Sequence, residues 1–213
     1  MHRRATFAFV AAALFASSAY AQSEPAKPAA GAPAPVAKPD PKKEAEQKKM
    51  MEAWQKYSTP GAEHQKLKSF AGHWEATVKM WFDPAGPVEE VPGKAEMKTI
   101  LGDRFLQQEF TGTMMGQPFN GIGVTGYDNV RKKWVSNWMD STATGFYTGE
   151  GTADKTGDVI TFASVATDPM TGKQRKGRDV LRLESPQKVV FESYATGKGG
   201  KEFKMLEITY TRK

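Results

Sequence analysis

From Gly72 onward the large apolar residues fall on every second position. Trp74, Ala76, Val78, Met80 and Phe82 alternate with His73, Glu75, Thr77, Lys79 and Trp81, the period of a strand with one apolar face. Further segments repeat the pattern: about Lys94 to Leu101, Arg104 to Thr111, Phe119 to Tyr127, Lys133 to Asp140, Thr144 to Thr152, Val159 to Thr167, Arg175 to Glu184, Lys188 to Ala195 and Glu202 to Arg212. The links between them are short and rich in turn residues, such as Asp128-Asn129, Asp154 to Gly157 and Thr196 to Gly200, so consecutive strands pair antiparallel. An open sheet of about ten strands leaves two unpaired edges, and closure into a barrel removes them. Gly121, Gly123 and Gly126, all in one segment, suit the bending that closure demands. The pattern predicts an all-β fold, an antiparallel meander of about ten strands closed into a barrel. A two-sheet sandwich is the alternative.

Upstream the period changes. Asp40-Pro41 pairs an N-cap acid with proline at a first helical position. Met50, Trp54 and Tyr57 then follow at i, i+4 and i+7, among Lys42, Lys43, Lys48, Lys49 and Lys56. This predicts a helix to about Tyr57, packed on the main domain by that stripe. A short helical turn is expected from His64 to Phe70, making residues 41–70 a helical segment before a barrel at 71–213. Residues 22–40 are dominated by Pro, Ala and Lys, with Val36 as the one large apolar residue, and read as a disordered tether. Residues 1–21 run from Arg3-Arg4 through an apolar stretch to Ala19-Tyr20-Ala21, the layout of a cleaved signal peptide. Its apolar run of about a dozen residues is too short for a spanning helix, which needs roughly 20. The expected location is therefore periplasmic or extracellular, with no transmembrane segment in the mature chain.

Cleavage after Ala21 removes Arg3 and Arg4 from the 30 basic residues and none of the 24 acidic ones, leaving 28 against 24, a net charge of +4. So mild a balance does not point to nucleic acid, which calls for a dense basic face. There is no cysteine, which excludes disulfides, thiolate catalysis and lipid attachment to an N-terminal cysteine. Stability must come from the core, and a folded part of about 150 residues buries about two thirds of its unfolded surface.

Candidate chemistry is sparse. His64 and His73 have no partner at zinc-ligand spacing, and no Gly-x-Ser-x-Gly elbow occurs. Gly121-x-Gly123-x-x-Gly126 meets the dinucleotide spacing but lies within the meander, where it reads as barrel curvature. No catalytic set, metal site or cofactor emerges. The strand polar residues carry more information. Arg104 and Gln108 share a face with Leu106 and Phe110, while Gln107 and Glu109 share the other with Phe105. Trp134, Ser136, Trp138 and Asp140 share one face, and Arg178, Val180 and Arg182 another. An inward face with a few polar groups among aromatics is what a ligand pocket presents, although a solvated outer face explains each stripe separately. The candidate ligand-binding residues are Arg104, Gln108, Glu109, Trp134, Trp138 and Asp140, for a small apolar or amphipathic ligand. Gly121, Gly123, Gly126, Gly145, Gly149 and Gly151 withhold side-chain volume and favour an open interior. The rivals are an enzyme using Glu109 or Asp140 as general base, and an envelope scaffold with a packed barrel.

Gly72-His73-Trp74 heads the first strand and Arg212 ends the last, so in a closed meander Arg212 stacks on Trp74 and seals one barrel end. A Gly-x-Trp on the first strand with a basic residue closing the last resembles lipocalins and their calycin relatives, barrels that hold apolar small molecules. A broader resemblance rests on Leu67 to Trp74, Ile100 to Leu106, Gly126 to Asn129 with Trp134 to Asp140, and Lys204 to Lys213. These stretches resemble the exported bacterial family known as domain of unknown function 1579, over nearly everything from Met50 to the C-terminus. The resemblance implies a calycin-like barrel. The family carries no established activity, so it transfers no catalytic residue.

Overall fold

A computed structural model describes residues 40–197 and 199–213. The signal peptide expected at residues 1–21 and the tether expected at 22–40 lie outside the described residues, except for the tether's last residue, Asp40, which is exposed. A helix α1 spans Pro41–Ser58, a short helix α2 spans Ala62–Leu67, and a 3-10 turn follows at Lys68–Phe70. Ten strands come next: β1 (Gly72–Met80), β2 (Glu89–Ile100), β3 (Phe105–Met114), β4 (Gln117–Asp128) and β5 (Lys133–Asp140), then β6 (Tyr147–Ala153), β7 (Val159–Thr167), β8 (Gln174–Ser185), β9 (Lys188–Thr196) and β10 (Glu202–Arg212).

Each strand pairs antiparallel with its neighbours in sequence, and β1 pairs with β10, so the sheet closes into a barrel without an edge. The closing register sets Trp74 opposite Arg212 and Met80 opposite Leu206. Along β1 the residues Trp74, Ala76, Val78 and Met80 point into the barrel. The strand stops there, so Phe82, expected on the same face, is exposed in the following loop. β2 begins at Glu89, earlier than its apolar alternation suggested, while β6 begins at Tyr147 rather than Thr144. Asp140 explains the second shift: its carboxylate accepts the Thr142 N–H and hydroxyl, holding the preceding loop in a turn.

Alternate strands run in opposite directions, so β1, β3, β5, β7 and β9 all start at one end. That end is sealed. Trp74, Trp134, Ile160 and Val189 fill it, each at most 2% exposed, under a cap made by Leu67 and Phe70. The Trp74 indole N–H donates to Phe70 O at 2.9 Å, which fastens the cap to the barrel. The Arg212 guanidinium carbon lies 4.2 Å from the Trp74 ring centre, and the same group donates to Ser69 O (2.8 Å), Ala71 O (2.5 Å) and Pro186 O (2.7 Å). Gly72 adopts φ +142, and a side chain there would strike an Arg212 nitrogen, so only glycine fits both the backbone and the space. Lys68–Asp103 (2.9 Å) and Lys66–Asp158 ion pairs tie the cap to loops of the same end.

The expected packing of α1 is corrected. The helix starts at Pro41 as its sequence implies, but no residue in it is buried; Met50, Trp54 and Tyr57 are exposed, Trp54 to 60%. A three-residue stripe among so many charges is too narrow to seat an 18-residue helix. What holds α1 is its C-terminal end, where free carbonyls need donors: Asn129 gives its amide to Tyr57 O (3.1 Å) and Thr59 O (2.8 Å), and Arg104 donates to Ser58 O (2.8 Å). Among the described residues no helix is long and apolar enough to cross a membrane.

Candidate ligand-binding site

Above the sealed end the barrel encloses a cavity of about 340 Å³, running from Phe70 at its floor to a mouth that includes Met114, Asp140, Tyr147 and Arg175. Its walls are mainly apolar. Phe110, Phe119 and Trp138 form a continuous aromatic panel: Phe119 and Trp138 stack with centroids 6.5 Å apart, and Phe110 meets Phe119 edge-on at 6.0 Å. The panel depends on the glycines of β4. A side chain at Gly121 would overlap the Trp138 ring, and one at Gly123 would press on it, so their absence lets the indole lie against the strand. The glycines of the barrel thus do not simply leave space, as expected. Trp138 and Phe110 occupy much of what Gly121 and Gly93 give up, and the cavity is what remains inside those rings.

Polar groups interrupt the apolar lining, and three of them are fixed by side-chain hydrogen bonds. Near the mouth, Asp140 accepts the Trp138 indole N–H at 2.9 Å and two bonds from Thr142. On one wall, Gln108 donates its amide to the Tyr210 hydroxyl at 2.9 Å. Burial pushes the Tyr210 phenol well above its ordinary range, against a small opposing effect of that bond, so it stays neutral. The third group is Asp179 on β8, which accepts the Ser193 hydroxyl of β9 at 2.7 Å, with Ser164 of β7 as a second hydroxyl partner. Asp179 is half-buried and lines the cavity. Burial raises the Asp179 pKa, and the two serine hydroxyls and the nearby Arg178 offset only part of that.

The structure brings Gln108, Trp138 and Asp140 to the cavity and keeps three other expected residues out of it. Arg104 lies at the sealed end. It precedes the first residue of β3, in a turn where Leu101 and Asp103 have positive φ, and its guanidinium donates to Leu101 O, Gly102 O and Ser58 O. The alternation that would place it with Leu106 and Gln108 is broken before it begins. Glu109 is on the outer face, exposed, and paired with Lys98 across β2 at 3.2 Å. Trp134 shares the inward face of Trp138 but sits four residues lower, packed edge-on against Tyr127 at 5.4 Å as part of the floor. Arg178 and Arg182 are also on the outer face, where Arg178 covers the Tyr194 ring and binds Glu202, and Arg182 binds Glu192.

Asp179, Ser164, Ser193 and Tyr210 escaped the sequence reading. A signal was present: aspartate is depleted within strands, and Gly177, Asp179 and Leu181 alternate with the arginines that drew attention to the other face. His73 is exposed, while His64 is buried beneath the cap, where its Nδ1 accepts the Gly61 N–H at 3.0 Å.

Comparison with known proteins places this architecture. The crystal structure of Rv2717c from M. tuberculosis superposes with a TM-score of 0.53 at 17% identity, over 73% of this chain and 99% of that one, a likeness of fold alone. The S-type phycobiliprotein lyase CPES from Guillardia theta gives 0.49 at 14% identity, over 72% of this chain and 98% of its own. No curated protein matches the sequence. The family model described as protein of unknown function (DUF1579) matches residues 59–212, from the loop before α2 to the last residue of β10. With a match over well more than half of its length, the chain, a closed ten-strand antiparallel barrel, belongs to the DUF1579 family.

Proposed function

We propose that this protein is exported and holds a small, partly apolar molecule in the lumen of its barrel. The observation that carries the reading is the cavity, closed at one end, open at the other, and lined by apolar and aromatic side chains with a few fixed polar groups. Its 340 Å³ lies within the range of about 300 to 1,000 Å³ usual for small-molecule sites. A scaffold barrel has no need of such a space, since a packed interior is more stable. Export is supported by the order of residues 1–21: basic, apolar, then small-x-small before the expected cleavage point.

The test is native mass spectrometry of the protein recovered from the envelope of its own source. A retained small molecule is expected, and the Ser193→Phe variant, whose ring would enter the cavity, should lose it. An empty wild-type protein that also fails to take up apolar fluorophores overturns the reading. Recovery of an intact Met1 overturns export with cleavage.

A second reading, acid–base catalysis, draws on Asp179, an enclosed carboxyl with a raised pKa. Its hydrogen-bond partners in the lumen are serine hydroxyls, and among the described residues no base is set to activate them. Conversion of the retained molecule by wild type, but not by Asp179→Asn, would establish it.

A further inference from the structure

We infer that the lumen is built for a ligand carrying a protonated amine on an apolar body, with the ammonium group against the Asp179 carboxylate. This rests on the ligand-binding reading above and adds the ligand's chemistry.

Asp179 is a charged side chain in the wall of the cavity, whose lining also includes Asp140, Arg175 and Lys176. Both of its hydrogen-bond partners, Ser193 and Ser164, are neutral. Among the described residues no cation is hydrogen-bonded or ion-paired to it, and Arg178 acts on it only through space. On its own strand, Arg178 points outward, stacked at 3.9 Å on the Tyr194 ring and held by Glu202 at 2.6 Å. Arg175 and Lys176 also line the cavity but are four and three residues away, about 13 and 10 Å along a strand at 3.3 Å per residue. β7 has no titratable residue. β9 contributes Tyr194, engaged with Arg178; Glu192, bound on the outer face by Arg182 and Lys204; and Lys188, paired with Glu184 at the sealed end. On β10, Tyr210 is neutral and bonded to Gln108.

An enclosed carboxylate without a cation is a costly arrangement unless something pairs with it. A ligand ammonium supplies the missing partner, with charge-assisted hydrogen bonds to an oxygen that no protein cation occupies. The rest of the lumen suits the remainder of such a molecule. In the ten-strand ring β3 stands opposite β8, so Phe110 and its aromatic neighbours face the Asp179 wall. Aromatic faces accept both apolar chains and cations. An anionic ligand would instead meet Asp179 as a like charge and find its cation at the mouth, in Arg175.

Three probes with one body separate these cases: decylamine, decanol and decanoate, titrated into the intact protein while tryptophan fluorescence and binding heat are followed. Decylamine should bind about ten- to a hundredfold more tightly than decanol at neutral pH, the scale of one charge-assisted contact. That preference should grow as pH rises through the titration of Asp179, because the ammonium is charged throughout. In Asp179→Asn the preference should vanish and its pH dependence flatten; the pH profile of the unsubstituted protein tests the same point without a variant. If decanol or decanoate binds as tightly as decylamine, the amine inference is overturned and the ligand-binding reading stands. If none of the three binds, both fall.

Discussion

The sealed end of the barrel gives the most quantitative test, through Trp74 and Arg212. Trp74 is 1% exposed, and truncating a core tryptophan to alanine costs about 3 to 5 kcal/mol. The upper part of that range is expected, because the indole N–H also serves Phe70 O, and an unpaired buried acceptor costs about 1 to 3 kcal/mol. Trp74→Phe keeps most of the apolar surface and loses the N–H, so it isolates that second contribution. Arg212→Ala removes three donors to the carbonyls of residues 69, 71 and 186 and uncovers the ring. It should cost about 2 to 4 kcal/mol, since hydrogen bonds to charged groups contribute about 1.5 to 3 kcal/mol each but this side chain is partly solvated. Urea unfolding followed by circular dichroism measures all three, and a slope near 2 kcal/mol per molar converts a 4 kcal/mol loss into a midpoint about 2 M lower. The double variant completes the cycle: residues in direct contact should show a coupling of about 1 kcal/mol or more. A Trp74→Ala cost below about 1 kcal/mol, or strict additivity of the pair, would refute the account of how this end is closed.

The remaining predictions concern the lumen, the outer face and α1. Gly121→Ala should push the Trp138 ring off β4 into the cavity, costing about 1 to 3 kcal/mol as overpacking does and reducing uptake of any lumen ligand; unchanged melting and uptake would count against the aromatic panel. Burial pushes the Glu192 carboxyl up, but the hydrogen bond from Lys204 and the charges of Lys204 and Arg182 prevail and hold its pKa below the usual range. Its stabilisation is therefore present above that range and lost as pH falls through it, so Glu192→Gln should lower Tm at neutral pH and flatten the acid limb of a Tm–pH curve. Asp179 has the opposite sign: its raised pKa means that the folded state binds the proton more tightly, so stability declines as pH rises from the usual aspartate value through the raised one. Asp179→Asn should gain in Tm relative to wild type across that interval, and a constant difference would contradict it. Arg104→Ala should leave lumen binding unchanged while amide exchange accelerates in α1, and loss of binding would return Arg104 to the site.

How far the sequence could be read depended on what each feature needed. Period-two alternation and short turns define strands locally, and closure follows from the edge problem, so the barrel and its Trp74–Arg212 junction were accessible. Asp140 and Trp138 were accessible for the same reason, being on one face of one strand. Arg104 and Glu109 show where local reading ends. For Arg104 the decisive fact is a turn with two non-glycine residues at positive φ, which no polarity pattern announces. For Glu109 it is which face looks inward, and on β3 both faces mix aromatic and polar residues. Trp134 fails differently: its face is right, but its depth along the barrel puts it in the floor. Depth depends on the stagger between strands, a property of the closed sheet rather than of any segment.

The Asp179 site combines all of these difficulties, and it also separates folding from function. Its members come from β7, β8 and β9, and only the register that sets Asp179 opposite Ser193 and Leu181 opposite Phe191 reveals which face of β8 is inside. The outward alternative was chemically plausible, and the structure does use it: Arg178 and Arg182 hold glutamates there. Those outer pairs satisfy their own charges and require nothing more. Asp179 is different, since a carboxyl set in the cavity wall, bonded to hydroxyls and only partly compensated by Arg178 through space, opposes folding wherever it is ionised. An asparagine of the same shape would keep a polar contact to Ser193 without that cost. Stability therefore gives no reason for an acid at this position, and positions where a sequence departs from what folding favours are where function is expected. In a lumen with one end sealed and the other open, the group that would make the acid favourable arrives through the mouth.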